Sequence, residues 1–488
     1  MLFNSYIFIF VFLPATLLGF YLLGRRNPMW ASGWLAAASL TFYGWWDARY
    51  VALLLASIAF NYLAGYGLAQ MAARGTPRRK LALGLAIAAD LGLLAYFKYA
   101  NFLVDNLARL TGLHWAMAAI VLPLGISFYT FTQIAFLVDT YQGKVREYRF
   151  LHYVLFITYF PHLIAGPVLH HKEMMPQFAH ADICQPNWDN LARGLTLFLL
   201  GLGKKVLLAD TLAQPANAVF HLLAQGQTVS TAESWIGILA YTLQLYFDFS
   251  AYSDMAIGIS MLFNIRLPQN FDSPYQARSI IDFWRRWHMT LSRFLRDYLY
   301  IPLGGNQHGD GRRYANLMIT MLLGGLWHGA GWTYVIWGGL HGLYLLVNHA
   351  WRALMARHGW HGEGRLYQTA AWMLTLLAVM LGWVFFRADS LASALSLLHS
   401  LAGLASAAVQ SAGIERASAL PMLLLGFAIA LYLPNAQAAA LSAPESRQGL
   451  LRRLGWRPTL GYAALMTLLG YGVLTNLHKP SEFLYFQF

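Results

Sequence analysis

The sequence predicts an all-α, polytopic membrane protein that folds as a single domain over residues 1–488. Of the 488 residues, 58% are hydrophobic and only 11% are charged, whereas a soluble domain carries roughly 25% charged residues. The apolar residues are collected in runs that could each form a helix of about 20 residues, the length that spans a bilayer. Short basic clusters separate these runs, which is the pattern of cytoplasmic loops in membrane proteins.

The apolar runs are distributed along the whole chain, so we expect many spans rather than one anchor. Counting them predicts about eleven to thirteen transmembrane and re-entrant helices. A His, a Gly and a Pro interrupt the run at 151–164, which favours a broken or re-entrant helix there. The runs are 6–23, 30–46, 50–71, 81–96, 123–139, 151–164, 191–208, 235–263, 317–327, 334–347, 369–386, 421–433 and 460–477.

The orientation follows from the basic clusters. The first run lacks a basic segment before it and a cleavage site of small residues, so we interpret it as a retained helix rather than a signal peptide. Basic residues follow the first and third runs. Because successive spans end on alternating sides of the membrane, both clusters lie on the same side, and they are cytoplasmic if the N-terminus lies outside. These residues are Arg25, Arg26, Arg74, Arg78, Arg79 and Lys80.

His328 follows an apolar run, 317–327, that contains no charged residue. Ionisable residues at membrane depth are costly and mark functional sites by default. An imidazole can take a proton from a hydroxyl and return it near neutral pH, which acyl transfer to an alcohol requires. Trp327 before it, and the glycines after it, would give a dry wall with space for a substrate. The alternative is a packed histidine that is bonded to a backbone carbonyl.

His288 lies in a Trp- and Arg-rich segment, 278–298, for which the spacing predicts one amphipathic helix in the membrane interface. His288 could polarise the carbonyl of an acyl donor or assist the base. Trp284 and Arg285 belong to the same candidate site, since arginines near it could bind the phosphates of coenzyme A or phosphopantetheine. The alternative is a helix whose Trp and Arg side chains only anchor it to lipid head groups.

Asp248, Tyr252 and Asp254 place polar groups inside the apolar run 235–263. Six residues correspond to about 600° of rotation on a helix, so the two carboxylates face different directions and do not form an acid–base pair. Asp248 and Tyr252 share a face because they are four residues apart. We expect these groups to form the polar wall of a substrate tunnel. Hydrogen bonding between helices is the alternative.

Several other classes of function lack support in the sequence. The net charge of +13 comes from separated clusters, with no continuous basic face for nucleic acid. Cys184 is the only cysteine, and the adjacent His170 and His171 point apart on a regular element, so we expect no metal site. There is no nucleotide-binding loop and no serine-hydrolase elbow. A transporter with buried carboxylates and broken helices remains an alternative.

Five segments of the chain resemble the membrane-bound O-acyltransferase family, and in particular its branch that acetylates bacterial polysaccharides such as alginate. The resemblance covers nearly the whole chain, from MLFNSYIFIFVFLP to FLYFQF, with the core motifs over 123–346 and C-terminal helices over 369–477. The segments are PLGISFYTFTQIAFLVDTYQGKV from Pro123, YFPHLIAGPVLH from Tyr159, YFDFSAYSDMAIG from Tyr246, LPQNFDSPYQARSIIDFWRRWHMTLSRFLRDYLYIPLGGN from Leu267 and LWHGAGWTYVIWGGLHG from Leu326.

The resemblance implies a ring of helices around a funnel or tunnel, with the catalytic histidine at its constriction. His328 matches the catalytic histidine of the family, and His288 matches its second motif histidine. The implied location is the bacterial inner membrane, with the N-terminus in the periplasm. No cofactor is expected to be bound permanently, and the implied acyl donor is acetyl-CoA or another thioester that enters from the cytoplasm.

The sequence thus predicts an O-acetyltransferase that modifies an exported polysaccharide, either alginate-like or cellulose-like, with His328 as general base. The expected partners are membrane lipids, the donor, the polysaccharide machinery and a periplasmic transferase of the esterase type, which is one possible direct acceptor. No nucleic acid is expected. Transfer of D-alanine to teichoic acid, and a glycan or acyl transporter without covalent chemistry, are the two alternatives.

Overall fold

The computed structural model describes residues 1–71, 76–112, 117–145, 149–360, 362–405, 409–446, 448–479 and 483–484. Within these residues the regular elements are helices, together with one isolated parallel bridge between Val229 and Gln410. This confirms the predicted all-α fold. Arg74 of the predicted cytoplasmic cluster and residues 485–488 of the C-terminal motif lie outside the described residues.

The chain divides by its internal contacts into two compact units. The first consists of Met1–Leu200 with Tyr252–Pro268, and the second of Gly201–Ala251 with Gln269–Phe488. The single domain over 1–488 and the ring of helices around a tunnel stay predictions.

The first unit begins with a π-helical segment, Phe8–Phe12, that runs into the first α-helix. A second π-helical segment, Ala95–Tyr99, joins α4 to α5, and a 3-10 turn, Ala181–Cys184, follows α9. The α-helices are α1 Leu13–Gly24, α2 Pro28–Gly44, α3 Arg49–Gln70, α4 Pro77–Leu94, α5 Ala100–Thr111, α6 Ile126–Tyr141, α7 Phe150–Thr158, α8 Phe160–Leu163, α9 His171–Ala179 and α10 Trp188–Gly203, whose last residues belong to the second unit.

The second unit contains the predicted reaction centre. Its irregular helical segments are the π-helical Lys204–Ala209 and Arg296–Tyr300 and the 3-10 turns Pro274–Gln276 and Pro444–Ser446. The α-helices are α11 Asp210–Ala224, α12 Thr231–Leu262, which ends in the first unit, α13 Ile280–Arg286, α14 Met289–Leu295, α15 Gly309–His328, α16 Trp332–Arg357, α17 Arg365–Arg387, α18 Leu391–Leu401, α19 Arg416–Tyr432, α20 Ala436–Leu441, α21 Gly449–Leu454 and α22 Leu460–Leu474.

Every predicted apolar run overlaps a helix, and the run at 151–164 is broken, as expected. The break lies at Tyr159, between α7 and the single turn α8. By length and apolar composition, three helical stretches of the described chain are able to cross a bilayer: Arg49–Gln70, Pro77–Thr111 and Arg365–Arg387. Four further apolar helices within the described residues have only 10–17 residues: Phe8–Gly24, Leu391–Leu401, Arg416–Tyr432 and Leu460–Leu474. The total of eleven to thirteen spans stays a prediction.

The prediction of one amphipathic helix over 278–298 is wrong. The structure has two short helices, α13 and α14, which are separated by Trp287 and His288. His288 has a φ of +43°, in the left-handed region that ends a helix. The break is stabilised from outside the segment, because the Met289 N–H donates to the Asn270 carbonyl at 2.9 Å and the Asp272 N–H to the Arg286 carbonyl at 2.9 Å. The periodicity within 278–298 could not predict these contacts, because their partners lie outside the segment.

Helices α15 and α16 pack against each other through glycines, and this contact places His328. A Cβ atom on Gly325 would collide with the Tyr334 carbonyl oxygen, and one on Gly338 would collide with the Met321 carbonyl oxygen. The two backbones can therefore approach only because these positions lack side chains. His328 is the last residue of α15, and α16 begins at Trp332 after a short turn.

Candidate active site

His328 is buried at the corner between α15 and α16, with 6% of its surface exposed. Its imidazole is surrounded by aromatic rings: the ring centroids of Trp327, Trp337 and Phe386 lie 4.9, 5.1 and 5.2 Å away. The Trp337 ring stands edge-on to it, at 88°. The apolar surroundings predicted for His328 are therefore present.

A small apolar cavity adjoins His328. Its volume is about 10 Å³, room for about one water molecule. An acetyl group is larger than this cavity. The side chains that line the cavity are Leu245, Phe249, Trp287, His328, Trp337, Trp383 and Phe386.

His288 has a fixed orientation and a defined tautomer. Its Nδ1 lies 3.0 Å from Oδ1 of Asn270, and the same atom accepts hydrogen bonds from the Thr290 hydroxyl at 2.8 Å and the Thr290 N–H at 3.4 Å. Because a backbone N–H can only donate, this Asn270 atom is the carbonyl oxygen, and Nδ1 of His288 must carry the proton. In the neutral imidazole the other ring nitrogen, Nε2, then holds the lone pair. It is buried and has no hydrogen-bond partner within the described residues.

Trp327 lies beside both predicted catalytic histidines. Its ring centroid is 6.4 Å from that of His288 and 4.9 Å from that of His328. Phe249, which lines the cavity, stands edge-on to His288 at 4.8 Å. Of the two histidines, His328 thus contributes directly to the cavity wall, whereas His288 lies behind the aromatic side chains that form it. The structure brings His288, Trp327 and His328 together, and their catalytic roles stay predictions.

Trp284 occupies a neighbouring position and contacts a third histidine. Its indole N–H donates to Nδ1 of His341 at 3.3 Å, and His341 also packs on Trp337 with ring centroids 4.9 Å apart. Sequence reasoning singled out neither His341 nor Asn270. A signal existed for His341, because it follows the aromatic Trp337 by one helical turn on α16. No local pattern marks Asn270.

The three residues of α12 that are predicted to line a tunnel, Asp248, Tyr252 and Asp254, are divided between the two units. Asp248 belongs to the second unit, where Lys205 lies 2.7 Å from its Oδ1 and the Leu484 N–H donates to its Oδ2 at 3.0 Å. Tyr252 and Asp254 belong to the first unit, where both are buried and Tyr252 stacks on Phe3 at 4.8 Å. Their role in a tunnel wall stays a prediction.

Arg285 lies on α13 and is exposed. Two other residues of this helix, Asp282 and Arg286, line a polar pocket. The pocket has a volume of about 770 Å³, within the range of small-molecule sites. It is lined by three guanidinium groups and one carboxylate. The residues that line it are Gln276, Arg278, Asp282, Arg286, Arg365, Gln368, Thr369, Trp372, Leu431 and Tyr432.

Comparison with known proteins decides the family. The model of the membrane-bound O-acyltransferase family matches residues 80–388, a stretch that contains both catalytic candidates and Trp327. The chain belongs to the membrane-bound O-acyltransferase family. It is therefore an acyltransferase and a membrane protein, and the resemblance derived from the sequence motifs is confirmed.

Named relatives match between about half and four fifths of the chain. The peptidoglycan O-acetyltransferase of Helicobacter pylori is 44% identical over 435 residues, which cover 83% of this chain and 80% of the relative. The probable alginate O-acetylase of Pseudomonas aeruginosa is 44% identical over 397 residues, 80% of this chain and 73% of the relative. The teichoic acid D-alanyltransferase of Streptococcus thermophilus is 31% identical over 240 residues, 47% of this chain and 57% of the relative.

Proposed function

We propose that this acyltransferase moves an acetyl group from a cytoplasmic thioester across the bacterial inner membrane, for O-acetylation of an exported polysaccharide. The observation that carries the proposal is the arrangement around Trp327: two buried imidazoles pack beside its ring, and one of them, His328, lines an apolar cavity. The relatives that match four fifths of the chain are named for acetylation of alginate or peptidoglycan. Their names support acetyl as the transferred group and a cell-envelope glycan as its destination.

His328 acts as the general base in this proposal. It removes the proton of the acceptor hydroxyl while the oxygen attacks the thioester carbonyl carbon, because a neutral hydroxyl is a poor nucleophile. The bond between the carbonyl carbon and sulfur breaks, the thiolate leaves, and the imidazolium returns the proton to it. His328 has this role rather than His288 because only His328 lines the cavity.

His288 assists from behind the cavity wall. Its Nδ1–H is held by Asn270, so its Nε2 lone pair keeps one direction and can accept a proton or a hydrogen bond when the aromatic side chains move. The Asn270 side chain carries no negative charge that would stabilise an imidazolium, and this favours a neutral imidazole. His288 thus supplies a second proton acceptor next to Trp327, without a fixed charge in the apolar interior.

The arginine pocket is the site that we propose for the donor's phosphates. Coenzyme A carries several phosphate groups, and Arg278, Arg286 and Arg365 offer planar guanidinium groups suited to them. Asp282 already pairs with Arg286 at 2.9 Å, so the pocket retains an excess of positive charge. The exposed Arg285, on the same helix, adds to this charge. Acetyl-CoA is accordingly the donor that we favour.

The acceptor lies on the periplasmic side in this proposal, where the N-terminus is also placed. It is either the glycan itself or a periplasmic transferase of the esterase type that passes the acetyl group on. Alginate-like glycans and peptidoglycan are both supported as final acceptors by the names of the relatives.

The experiment is acetyl transfer by the purified protein in liposomes with radiolabelled acetyl-CoA. We expect release of free coenzyme A and labelled acceptor when alginate, peptidoglycan fragments or the periplasmic partner is supplied. Charge reversal by Arg278→Glu or Arg365→Glu should raise the KM for acetyl-CoA about tenfold with kcat nearly unchanged, since each removes a charge-assisted hydrogen bond. Arg357→Glu, at the exposed C-terminal end of α16 and outside the pocket, is the matched control.

Two results would contradict the proposal. Transfer of D-alanine from a carrier protein, without any acetyl transfer, would favour the teichoic acid route. Movement of glycan across the liposome membrane without cleavage of the thioester would favour a transporter. An unchanged KM in both arginine variants would remove the pocket from the donor site but leave the acetyl-transfer reaction standing.

A further inference from the structure

Asp90 is a carboxylate buried inside a helical stretch of the first unit that is long and apolar enough to cross a bilayer. It lies on α4, within the apolar stretch Pro77–Thr111, and 3% of its surface is exposed. Its Oδ1 accepts a hydrogen bond from the Asn61 amide at 2.8 Å. Its Oδ2 has no hydrogen-bond partner within the described residues. An ionised carboxylate without a cation is strongly unfavourable in such surroundings, and protonation is the usual outcome.

The groups around Asp90 are neutral. Ser57 and Asn61 of α3 face it together with Gln133 of α6, whose Oε1 accepts from the Ser57 hydroxyl at 2.8 Å and the Asn61 amide at 3.2 Å. Within the part of the chain that the structure describes, the phenols of Tyr129 on α6 and Tyr153 on α7 interact with Asp90 electrostatically. Free phenols titrate near pH 10, so both are uncharged at neutral pH.

The basic side chains of the same helical stretch are distant. Lys80 and Arg79 precede Asp90 by ten and eleven residues and Lys98 follows it by eight. Their backbones therefore lie about 15, 16 and 12 Å away along the axis. Arg79 is engaged by the carbonyl oxygens of Leu68 and Thr140, and Lys98 contacts the Ser127 hydroxyl at 3.4 Å. The acidic residue of α6, Asp139, has its own basic partners. None of these groups supplies a counter-ion to Asp90.

A single proton would complete the hydrogen bonding at this position. Asn61 Oδ1, like Asp90 Oδ2, is buried without a hydrogen-bond partner in the described chain. Both atoms are acceptors, and the Asn61 side chain already contacts the carboxylate. A proton on Asp90 converts Oδ2 into a donor, and a carboxylic acid and a carboxamide can form two hydrogen bonds to each other.

Asp90 also lies at a groove on the surface of the unit. The groove has a volume of about 240 Å³, and its walls are apolar, with Ala56, Phe60 and Ala89 exposed. The helical stretches that carry this surface, Arg49–Gln70 and Pro77–Thr111, are both long and apolar enough to cross a bilayer. The groove is lined by Leu53, Ala56, Ser57, Phe60, Ala89, Asp90 and Leu93.

We propose that Asp90 is a proton-binding site, held as a neutral carboxylic acid at neutral pH and open to the lipid phase through this groove. The site is separate from the acetyl-transfer chemistry and does not rest on it. The groove admits an apolar molecule of about the size of a cyclohexyl ring. Such a ligand would carry one group that reacts with a carboxylic acid or forms a hydrogen bond to it.

Dicyclohexylcarbodiimide tests this proposal because it dissolves in lipid and reacts with protonated carboxyl groups. The carboxyl proton passes to one nitrogen of the carbodiimide, and the carboxyl oxygen bonds to its central carbon. The acyl group then migrates to nitrogen and gives a stable N-acylurea, so that the protein gains the whole reagent and nothing leaves. Peptide mass spectrometry on the full chain in liposomes locates the adduct.

We expect the adduct on Asp90 at neutral pH, and its loss as the pH is raised, because deprotonation removes the reactive form. The pH dependence of labelling is measured on the wild-type protein. Asp90→Asn should abolish labelling of the peptide. A water-soluble carbodiimide should label exposed carboxylates such as Asp310 and spare Asp90, because the groove opens to lipid.

Asp139 provides the internal control. It is as buried as Asp90, but His171 Nδ1 lies 3.0 Å and Lys144 Nζ 3.8 Å from its carboxylate. We expect no adduct on Asp139 under the same conditions. Absence of an adduct on Asp90 at neutral and at mildly acidic pH, or equal labelling of Asp139, would overturn the proposal.

Discussion

The ammonium group of Lys205 lies 2.7 Å from the carboxylate of Asp248 inside the helical core of the second unit. Lys205 also contacts Asp210 at 2.6 Å, and both Lys205 and Asp248 are almost fully buried. The N–H of Leu484 completes the group by donating to the second oxygen of Asp248. This ion pair explains how the apolar helix α12 can carry a carboxylate, and it gives Asp248 a structural role that can be tested separately from a tunnel wall.

Removal of Lys205 alone should destabilise the protein. Lys205→Met leaves Asp248 buried without its cation, which typically costs about 3–5 kcal/mol. The double variant with Asp248→Asn should recover most of this loss. Thermal unfolding in detergent micelles measures both. If the double variant unfolds like the wild type but transfers no acetyl group, Asp248 has a role beyond the ion pair; an unchanged melting temperature in Lys205→Met would argue against the pair.

Loss of the His328 imidazole should abolish acetyl transfer. His328→Ala removes the proposed base, and general-base catalysis contributes about 10²–10⁴-fold to a rate. The variant should still insert and accumulate normally, because the surrounding aromatic side chains remain. The exposed His358 is the control, and His358→Ala should retain full activity. Normal acetylation by His328→Ala would exclude this residue from the mechanism.

Asn270 should act through the orientation of His288. Asn270→Leu removes the oxygen that accepts from His288 and Thr290, and unsatisfied buried donors cost about 1–3 kcal/mol. Asn270→Asp keeps an acceptor at this position and should retain more activity than Asn270→Leu. The measurements are kcat and melting temperature for both variants. Equal kcat values for the two would indicate that the hydrogen bond to His288 does not matter for the reaction.

The cavity beside His328 should limit the length of the acyl group. Phe386 lines it, whereas the neighbouring Phe385 is buried but does not. Phe386→Ala should therefore increase the use of propionyl and butyryl donors relative to acetyl, by about tenfold or more for each added methylene that finds space. Phe385→Ala removes the same side chain outside the cavity. It should lower stability without a change in donor preference, and a similar change of preference in both variants would speak against the cavity as the acyl site.

The contact between α15 and α16 should tolerate no side chain at its centre. Gly325→Ala places a methyl group against the Tyr334 carbonyl and the Gly338 backbone, so we expect a loss of about 1–3 kcal/mol from overpacking. At Gly339 the nearest atom, in the Leu322 side chain, would be an ordinary 3.5 Å away. Gly339→Ala should therefore melt at or above the wild-type temperature. Equal melting of the two variants would show that the close approach does not limit stability.

In the segment that contains His288, the sequence predicted helical structure correctly but did not predict the break. The spacing of its Trp and Arg residues indicated helix, and two helices are present. The break between them was missed because it is stabilised by Asn270, which is 18 residues away from His288 in the chain. His341 and Trp383 were missed for a similar reason, since their proximity to the candidate site comes from the packing of α16 and α17 around α13.

The sequence by itself determined the helical class, the membrane location and the two motif histidines, because apolar runs, charge clusters and short motifs are local properties of a chain. Only the tertiary structure decided that Trp327 lies beside both histidines, that the left-handed His288 faces Asn270, and that Asp248 pairs with Lys205. These relationships depend on contacts between segments that are distant in sequence. Their interaction energies depend on which atoms are in contact in the folded protein, and a local sequence pattern does not predict those contacts.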